Sequence, residues 1–282
     1  MNTILVPTDF SADAEKALNF AHDLAKISNS EIRLLHVVEY PGIESFHAGG
    51  ETNLTDGMDK VFMMQLLRKV KTDIRALAED PKYSDITVHY NVMVGHPWKS
   101  ISKEIADSNA DIVVIGSKGA TGAEEVLLGS TAEKVVRFAH CPVITIKEPT
   151  RVELLKDIVY ATNMVDDQSK VMENLKVIQK ILHAKIHLLR VNTPYAFIGS
   201  REAKEKLKQF AEAHNMEDYT LNTYDEFREE TGILNFAEDN DCDIIAMSTH
   251  SHTGLVHMFT GSIAEDVVNH AKRPVWTLSL KA

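Results

Sequence analysis

The chain has 282 residues, about two average domains in length, since single cores of about 100 to 200 residues are the norm. Hydrophobic residues make up 44% and charged residues 25%, a globular balance that excludes a disordered chain and a small stapled module. Acidic residues outnumber basic ones 41 to 30, and the net charge of −11 sets a field that repels nucleic acid and anionic membranes. Cys141 and Cys242 are the only cysteines, with no CxxC or Cys/His zinc spacing around them, which fits a reducing compartment. No segment approaches the roughly 20 apolar residues of a membrane span, and the opening MNTILVPTDF reads as a strand rather than a leader. A cytoplasmic protein is expected.

Taken in chain order, the apolar run Thr3 to Val6 predicts a strand. Ser11 to about Ser28 then carries Ala14, Ala17, Leu18, Ala21, Leu24 and Ala25 at helical spacing. Ile32 to Val38 reads as a strand, Met58 to Glu79 as a helix, Thr87 to Val94 as a strand and Trp98 to Ser108 as a helix. Asp111 to Ile115, a helix from about Thr131 to Ala139 and the short strand Val143 to Ile146 complete the series. Strands as continuously apolar as Ile112-Val113-Val114-Ile115, alternating with helices, predict an α/β fold with a parallel sheet covered on both faces.

After the polar stretch Lys147 to Thr150 the same series begins again. Its strands are Asp157 to Ala161, Lys185 to Val191, Tyr219 to Asp225, Asp243 to Met247 and Val275 to Leu278. Its helices are Asp166 to His183, Ser200 to His214, Glu230 to Asp239 and Ile263 to Ala271. Asp9 to Val37 and Asn163 to Val191 are both intervals of 28, and Gly116 to Val143 and Ser248 to Val275 are both intervals of 27. Gly122, Gly129, Ser130, Glu133, Val135, Val136, Pro142 and Val143 meet the same residue types at Gly254, Gly261, Ser262, Glu265, Val267, Val268, Pro274 and Val275. The spacing predicts one fold written twice, over residues 1–148 and 154–282. The extra length of the first half falls mainly in the glycine-bearing loop Tyr40 to Asp59, which is read either as a lid over a site or as an idle insertion.

In a doubly wound sheet, ligands bind beyond the carboxyl ends of the strands where the strand order reverses. The first strand ends in Thr8-Asp9-Phe10-Ser11. The fourth ends in Gly116-Ser117-Lys118-Gly119-Ala120-Thr121-Gly122 and leads to Gly129-Ser130-Thr131 at a helix start. Glycines let the backbone approach a ligand, and a helix N-terminus offers free N–H groups and a positive dipole end to phosphate. The loop is neither a Walker A motif nor a GxGxxG turn after the first strand. Ser130-x-x-Glu133 also has the form of a capping box, repeated as Ser262-x-x-Glu265, so this element alone does not argue for phosphate.

Gly116-x2-Gly119-x9-Gly129-Ser130 and the opening Ile-Leu-Val-Pro-Thr-Asp-Phe-Ser together resemble the universal stress protein family. His36-Val37-Val38 and Ala139-His140-Cys141-Pro142-Val143 add to the resemblance, which covers the full chain as two family domains in tandem. It implies two tandem doubly wound domains, each a five-stranded parallel sheet in the order 3-2-1-4-5 with helices on both faces. It also implies that the last strands of the two halves pair as an intramolecular pseudo-dimer. ATP or another adenine nucleotide is the implied ligand. Thr8 and Asp9 would lie against the adenosine, the Val37 backbone beside the adenine, and Gly116, Gly119 and Gly122 around the ribose and α-phosphate. Gly129, Ser130 and Thr131 would meet the outer phosphates, with Lys118 and a Mg²⁺ ion offsetting charge.

Where the first half has Asp9, Gly116 and Gly119, the second has Asn163, Ser248 and Ser251, so the nucleotide motif is expected intact in the first half and degenerate in the second. The implied role is regulatory, in stress response. The alternatives are a slow ATP hydrolase or phosphotransferase, for which no general base stands beside the phosphates, and a protein-binding adaptor without nucleotide. His250, His252 and His257 are read as solvated loop residues or, alternatively, a metal site. His36 and His89 are expected to serve strand packing, Phe62 to Leu67 to form helix core, and Cys141 and Cys242 not to form a redox pair.

Overall fold

The computed structural model describes residues 1–39, 57–119, 128–164, 167–249 and 263–280. The first half runs β1 (Thr3–Pro7), α1 (Ala12–Ser28), β2 (Glu31–Val38), α2 (Gly57–Ala78), β3 (Val88–Val94), α3 (Pro97–Ser108), β4 (Ile112–Gly116), α4 (Ser130–Phe138) and β5 (Val143–Ile146). The second runs β6 (Asp157–Ala161), α5 (Ser169–Leu182), β7 (Lys185–Asn192), α6 (Ser200–Ala213), β8 (Tyr219–Asp225), α7 (Glu229–Asp239), β9 (Ile244–Thr249), α8 (Ile263–His270) and β10 (Val275–Ser279).

All ten strands join one sheet in the order β3-β2-β1-β4-β5-β10-β9-β6-β7-β8. Each half therefore has the order 3-2-1-4-5, and its strands are mutually parallel. The halves meet where β5 pairs antiparallel with β10, with Thr145 opposite Val275, Ile144 opposite Trp276 and Val143 opposite Thr277. Closing two edges against each other buries what would otherwise be two exposed rows of unpaired backbone groups.

Alternation of side chains across the sheet splits the core into two layers. One lies under α1, α2, α5 and α6 and includes Val6, Leu18, Phe20, Ile74, Tyr160, Leu175, Leu207 and Trp276. The other lies under α3, α4, α7 and α8 and includes Leu5, Ile101, Val113, Val135, Val143, Ile233, Val267 and Val275. Both layers run through the junction without a break. The polar stretch between the halves also contributes, because a short 3₁₀ turn, Val152–Leu154, sets Val152 and Leu155 into the first layer.

Two expectations need correction. Phe62 to Leu67 is expected to be helix core, yet Phe62 and Met64 are 64% and 52% exposed, and the helix joins the core layer through Ile74, Leu77 and Ala78 in its C-terminal half. Helix α5 was expected from Asp166 but begins at Ser169, because Gln168 leaves helical geometry (φ −111°, ψ 16°) and its side chain turns inward. The loop Tyr40 to Asp59 lies outside the described residues except for its last positions at the start of α2.

Candidate functional site

The site grows from the ends of β1 and β4, neighbours in the sheet with helices leaving them on opposite faces. The Thr8 N–H donates to the Leu35 carbonyl at 2.8 Å, carrying the ladder one residue past the strand. The Thr8 hydroxyl then accepts from the Phe10 N–H at 3.1 Å, and the Asp9 carboxylate from the Ser11 N–H at 3.0 Å. These local bonds fold a tight turn in which Phe10 takes a left-handed φ of 63°. Phe10 stacks on His36, with ring centroids 4.7 Å apart, and His36 Nδ1 bonds the Thr8 carbonyl at 2.8 Å. His36 thus has the strand duty expected of it, while His89 pairs with Glu31 at 3.4 Å. Ser11 caps α1 by accepting from the Ala14 N–H at 3.2 Å.

From β4, the Ser117 N–H reaches the Ile146 carbonyl at 3.1 Å and the Ser117 carbonyl accepts from the Gly129 N–H at 2.8 Å. Both ends of the loop are thereby pinned to one residue. A Cβ on Gly119 would stand 2.9 Å from Asp9 Oδ2, so the expected approach of Asp9 and the glycine loop is present. Gly129 lies beside Ser117, Lys118 and Gly119, all within ordinary contact of a notional Cβ.

Gly116 departs from the reading of a glycine bared to ligand. A Cβ there would meet the Asp13 carbonyl oxygen at 2.6 Å and its carbon at 2.7 Å, so the bare backbone of β4 receives the first turn of α1. Its effect on the site is indirect, through the seating of the turn that carries Asp9.

The capping box at Ser130 and Glu133 is also corrected. The N-cap of α4 is Gly129, with φ −62° and ψ 143°, and among the described residues no side chain caps the helix. Ser130 and Thr131 are the first helical residues. The earliest intrahelical bond runs from Glu133 N–H to the Gly129 carbonyl at 2.9 Å, so the amides of Ser130, Thr131 and Ala132 have no intrahelical acceptor. These are the donors that an anion at a helix N-terminus uses. Val37 is partly buried on the α3 and α4 side of β2. Gly122, Ser251 and the histidines 250, 252 and 257 lie outside the described residues.

The same place in the second half is built differently. Tyr160, Gln168 and Ser248 stand where Val6, Ala14 and Gly116 stand in the first half. Gln168 is 1% exposed and accepts from the Tyr160 hydroxyl at 2.6 Å and the Thr162 hydroxyl at 2.9 Å. Its amide nitrogen donates to Asn163 Oδ1 at 3.2 Å, and Ser248 bonds the Tyr160 hydroxyl from β9. Burial pushes the Tyr160 phenol well above its ordinary range. Arg190, in the position of His36, donates to the carbonyls of Asn163 at 3.4 Å and Ala196 at 2.9 Å. None of this network was visible to a comparison restricted to the glycine motif; comparing Val6 with Tyr160 and Ala14 with Gln168 would have found it.

Both cysteines are buried and unpaired. Desolvation pushes each thiol up to about 12, which suppresses the reactive thiolate at neutral pH. Among the described residues no three His, Cys, Asp or Glu side chains converge as a metal site, and no helix is long and apolar enough to cross a membrane.

Fold and site together define a tandem doubly wound α/β protein with a glycine loop at its first switch point. A model of the universal stress protein family matches residues 1–147 and 155–279, and the chain belongs to that family. Universal stress protein MJ0531 of Methanocaldococcus jannaschii is 32% identical over 148 residues, covering 52% of this chain and 83% of that protein. Universal stress protein MJ0577 of the same organism is 28% identical over 151 residues, covering 51% and 93%. A crystal structure of a universal stress protein from Archaeoglobus fulgidus shares the fold at a TM-score of 0.76 and 20% identity, covering 99% of this chain and 98% of that one.

Proposed function

We propose that the first half binds an adenine nucleotide, ATP foremost, at the ends of β1 and β4, and that the protein is a cytoplasmic regulator in stress response whose output follows occupancy. One observation carries this reading: the Asp9 carboxylate packs on Gly119 while the uncapped amides of Ser130 and Thr131 open the N-terminus of α4 beside it. Asp9 supplies an acceptor for ribose hydroxyls, and the α4 amides supply donors for phosphate. Thr8 shapes the turn, Val37 offers backbone beside the base, and Gly116 seats the whole turn against α1. Gly122 belongs to the proposed loop by sequence alone. Lys118 supports charge balance, and a Mg²⁺ ion would take most of its ligands from phosphate and water.

The second half supports a lesser role in binding, because Asn163 is engaged by Gln168 and the space beneath the start of α5 is filled by its own side chains. The test is mass spectrometry of small molecules released on denaturation, followed by calorimetric titration with ATP. One site per chain is expected, with affinity lowered by chelator. Two equivalent sites, or none, would overturn the reading.

A hydrolase reading gains one point, since Glu133, expected to be held in a cap, is not held there. Single-turnover reaction with labelled ATP separates the two: a binder returns intact ATP.

A further inference from the structure

Across the junction, the two halves share a closed circuit of hydrogen bonds. The Leu128 N–H of the first half donates to the Asn269 side-chain oxygen of α8 at 2.7 Å. The next residue, Gly129, donates its N–H to the Ser117 carbonyl at 2.8 Å, and the Ser117 N–H donates to the Ile146 carbonyl at 3.1 Å. The residue after Ile146 is Lys147, whose ammonium donates to the backbone carbonyl of the same Asn269. One residue of the second half therefore grips both the entry to α4, where the glycine loop ends, and the exit of β5, the strand that pairs with β4 from which the loop starts.

Each contact has a physical reason. Asn269 lies in the last turn of α8, where carbonyls lack intrahelical partners and the dipole favours a cation, so Lys147 is well placed there. Lys147 is half-buried, and desolvation with Lys118 nearby lowers its ammonium to about 8, which makes the carbonyl contact more consequential. Arg137 stands in α4 where Asn269 stands in α8, and it faces Glu265 at 4.0 Å.

We propose that Asn269 is a positioning residue for the first-half nucleotide site, setting the Leu128–Gly129 entry to α4 so that affinity in one half depends on a side chain of the other. The inference rests on the reading under Proposed function, and its test separates the two. Asn269→Ala removes the side-chain acceptor while leaving the backbone carbonyl and favouring helix; Asn269→Asp restores an acceptor. Full-length proteins would be compared by amide hydrogen exchange without ligand and by titration with ATP. Expected for Asn269→Ala is faster exchange at Leu128 and a dissociation constant raised about five-fold, the worth of one hydrogen bond, with both restored in Asn269→Asp. Unchanged exchange at Leu128 overturns the clamp. Faster exchange with unchanged affinity overturns its link to the site. A wild-type protein that binds no adenine nucleotide overturns the functional reading itself, and this inference with it.

Discussion

The first turns of α1 and α5 leave equivalent strands of the same sheet, yet one is helix from Ala12 and the other only from Ser169, which is equivalent to Glu15. In the first half the tip of β4 is glycine, and the backbone of Asp13 lies directly on it. In the second, β9 carries Ser248 at this place, α5 starts only at Ser169, and the Gln168 side chain turns in to bond Tyr160 and Thr162. Packing by backbone leaves Asp9 facing the glycine loop; packing by side chains ties the Asn163 side-chain oxygen to Gln168. A duplicated fold can thus keep its sheet and core while the choice of what fills one contact decides what the neighbouring turn faces.

The largest effects should follow from exchanging these contacts. Gln168→Ala leaves two buried hydroxyls without their acceptor and opens a void, and should cost about 2 to 4 kcal/mol by urea denaturation. Gly116→Ser forces a Cβ onto the α1 backbone and should cost about 1 to 3 kcal/mol. Losses under about 0.5 kcal/mol in both would mean that the two first turns are not locked by these residues.

Gly119→Val tests the open side of the comparison. Its Cβ would press on Asp9 Oδ2, where 2.9 Å is available, so ATP affinity should fall more than about ten-fold while stability changes little. Asn163→Asp in the second half should create no new site, since that oxygen already accepts from Gln168. Calorimetry showing ATP bound as tightly by Gly119→Val as by the parent would remove Asp9 and Gly119 from the site.

Most of the architecture was legible in the sequence because helix and strand periodicities alternate strictly and the interval lengths repeat. That the last strands pair across the junction followed from the short final strands read with the family resemblance; the antiparallel sense of that pairing came from the structure. What escaped the sequence was anything decided by contact between distant residues. Gly116 reads as a ligand glycine until Asp13 is seen against it. Ser130 reads as a cap because Ser-x-x-Glu is a capping pattern, whereas Gly129, with an extended backbone and no side chain, takes that position. Gln168 reads as one more residue of a polar helix start. Its burial depends on Tyr160, eight residues back, and on Ser248, far along the chain.

The thiols give a smaller test. Both lie just ahead of a strand, are buried in the second core layer and are pushed up to about 12, so Cys141 and Cys242 should resist iodoacetamide in the native protein at pH 7.5, roughly the physiological range, and react on unfolding. Native-state labelling of one cysteine, located by peptide mapping, would mark the half that opens more readily.

The smallest expected effect concerns how each helix is tied to the loop before the edge strand. In the first half His22 and Lys26 of α1 hold Asp85 at 2.6 and 2.9 Å, bonds to a carboxylate. In the second, Lys176 and Gln179 of α5 hold the backbone carbonyls of His214 and Glu217, at 2.8 and 2.9 Å, so no carboxylate takes part in these bonds. The His22 and Lys26 contacts lower Asp85 from 3.8 to about 2. A depressed carboxylate contributes stability that is present above the unfolded value and is lost as pH falls through the folded one, so the window runs from about pH 4 to about pH 2. Protection factors from hydrogen exchange around residues 81–86 should therefore fall in that window, while those around 214–218 hold. Asp85→Asn should remove the difference at its source, weakening the first loop at neutral pH and flattening its response to acid. The same acid-dependent loss in Asp85→Asn as in the parent would show that another group controls the loop.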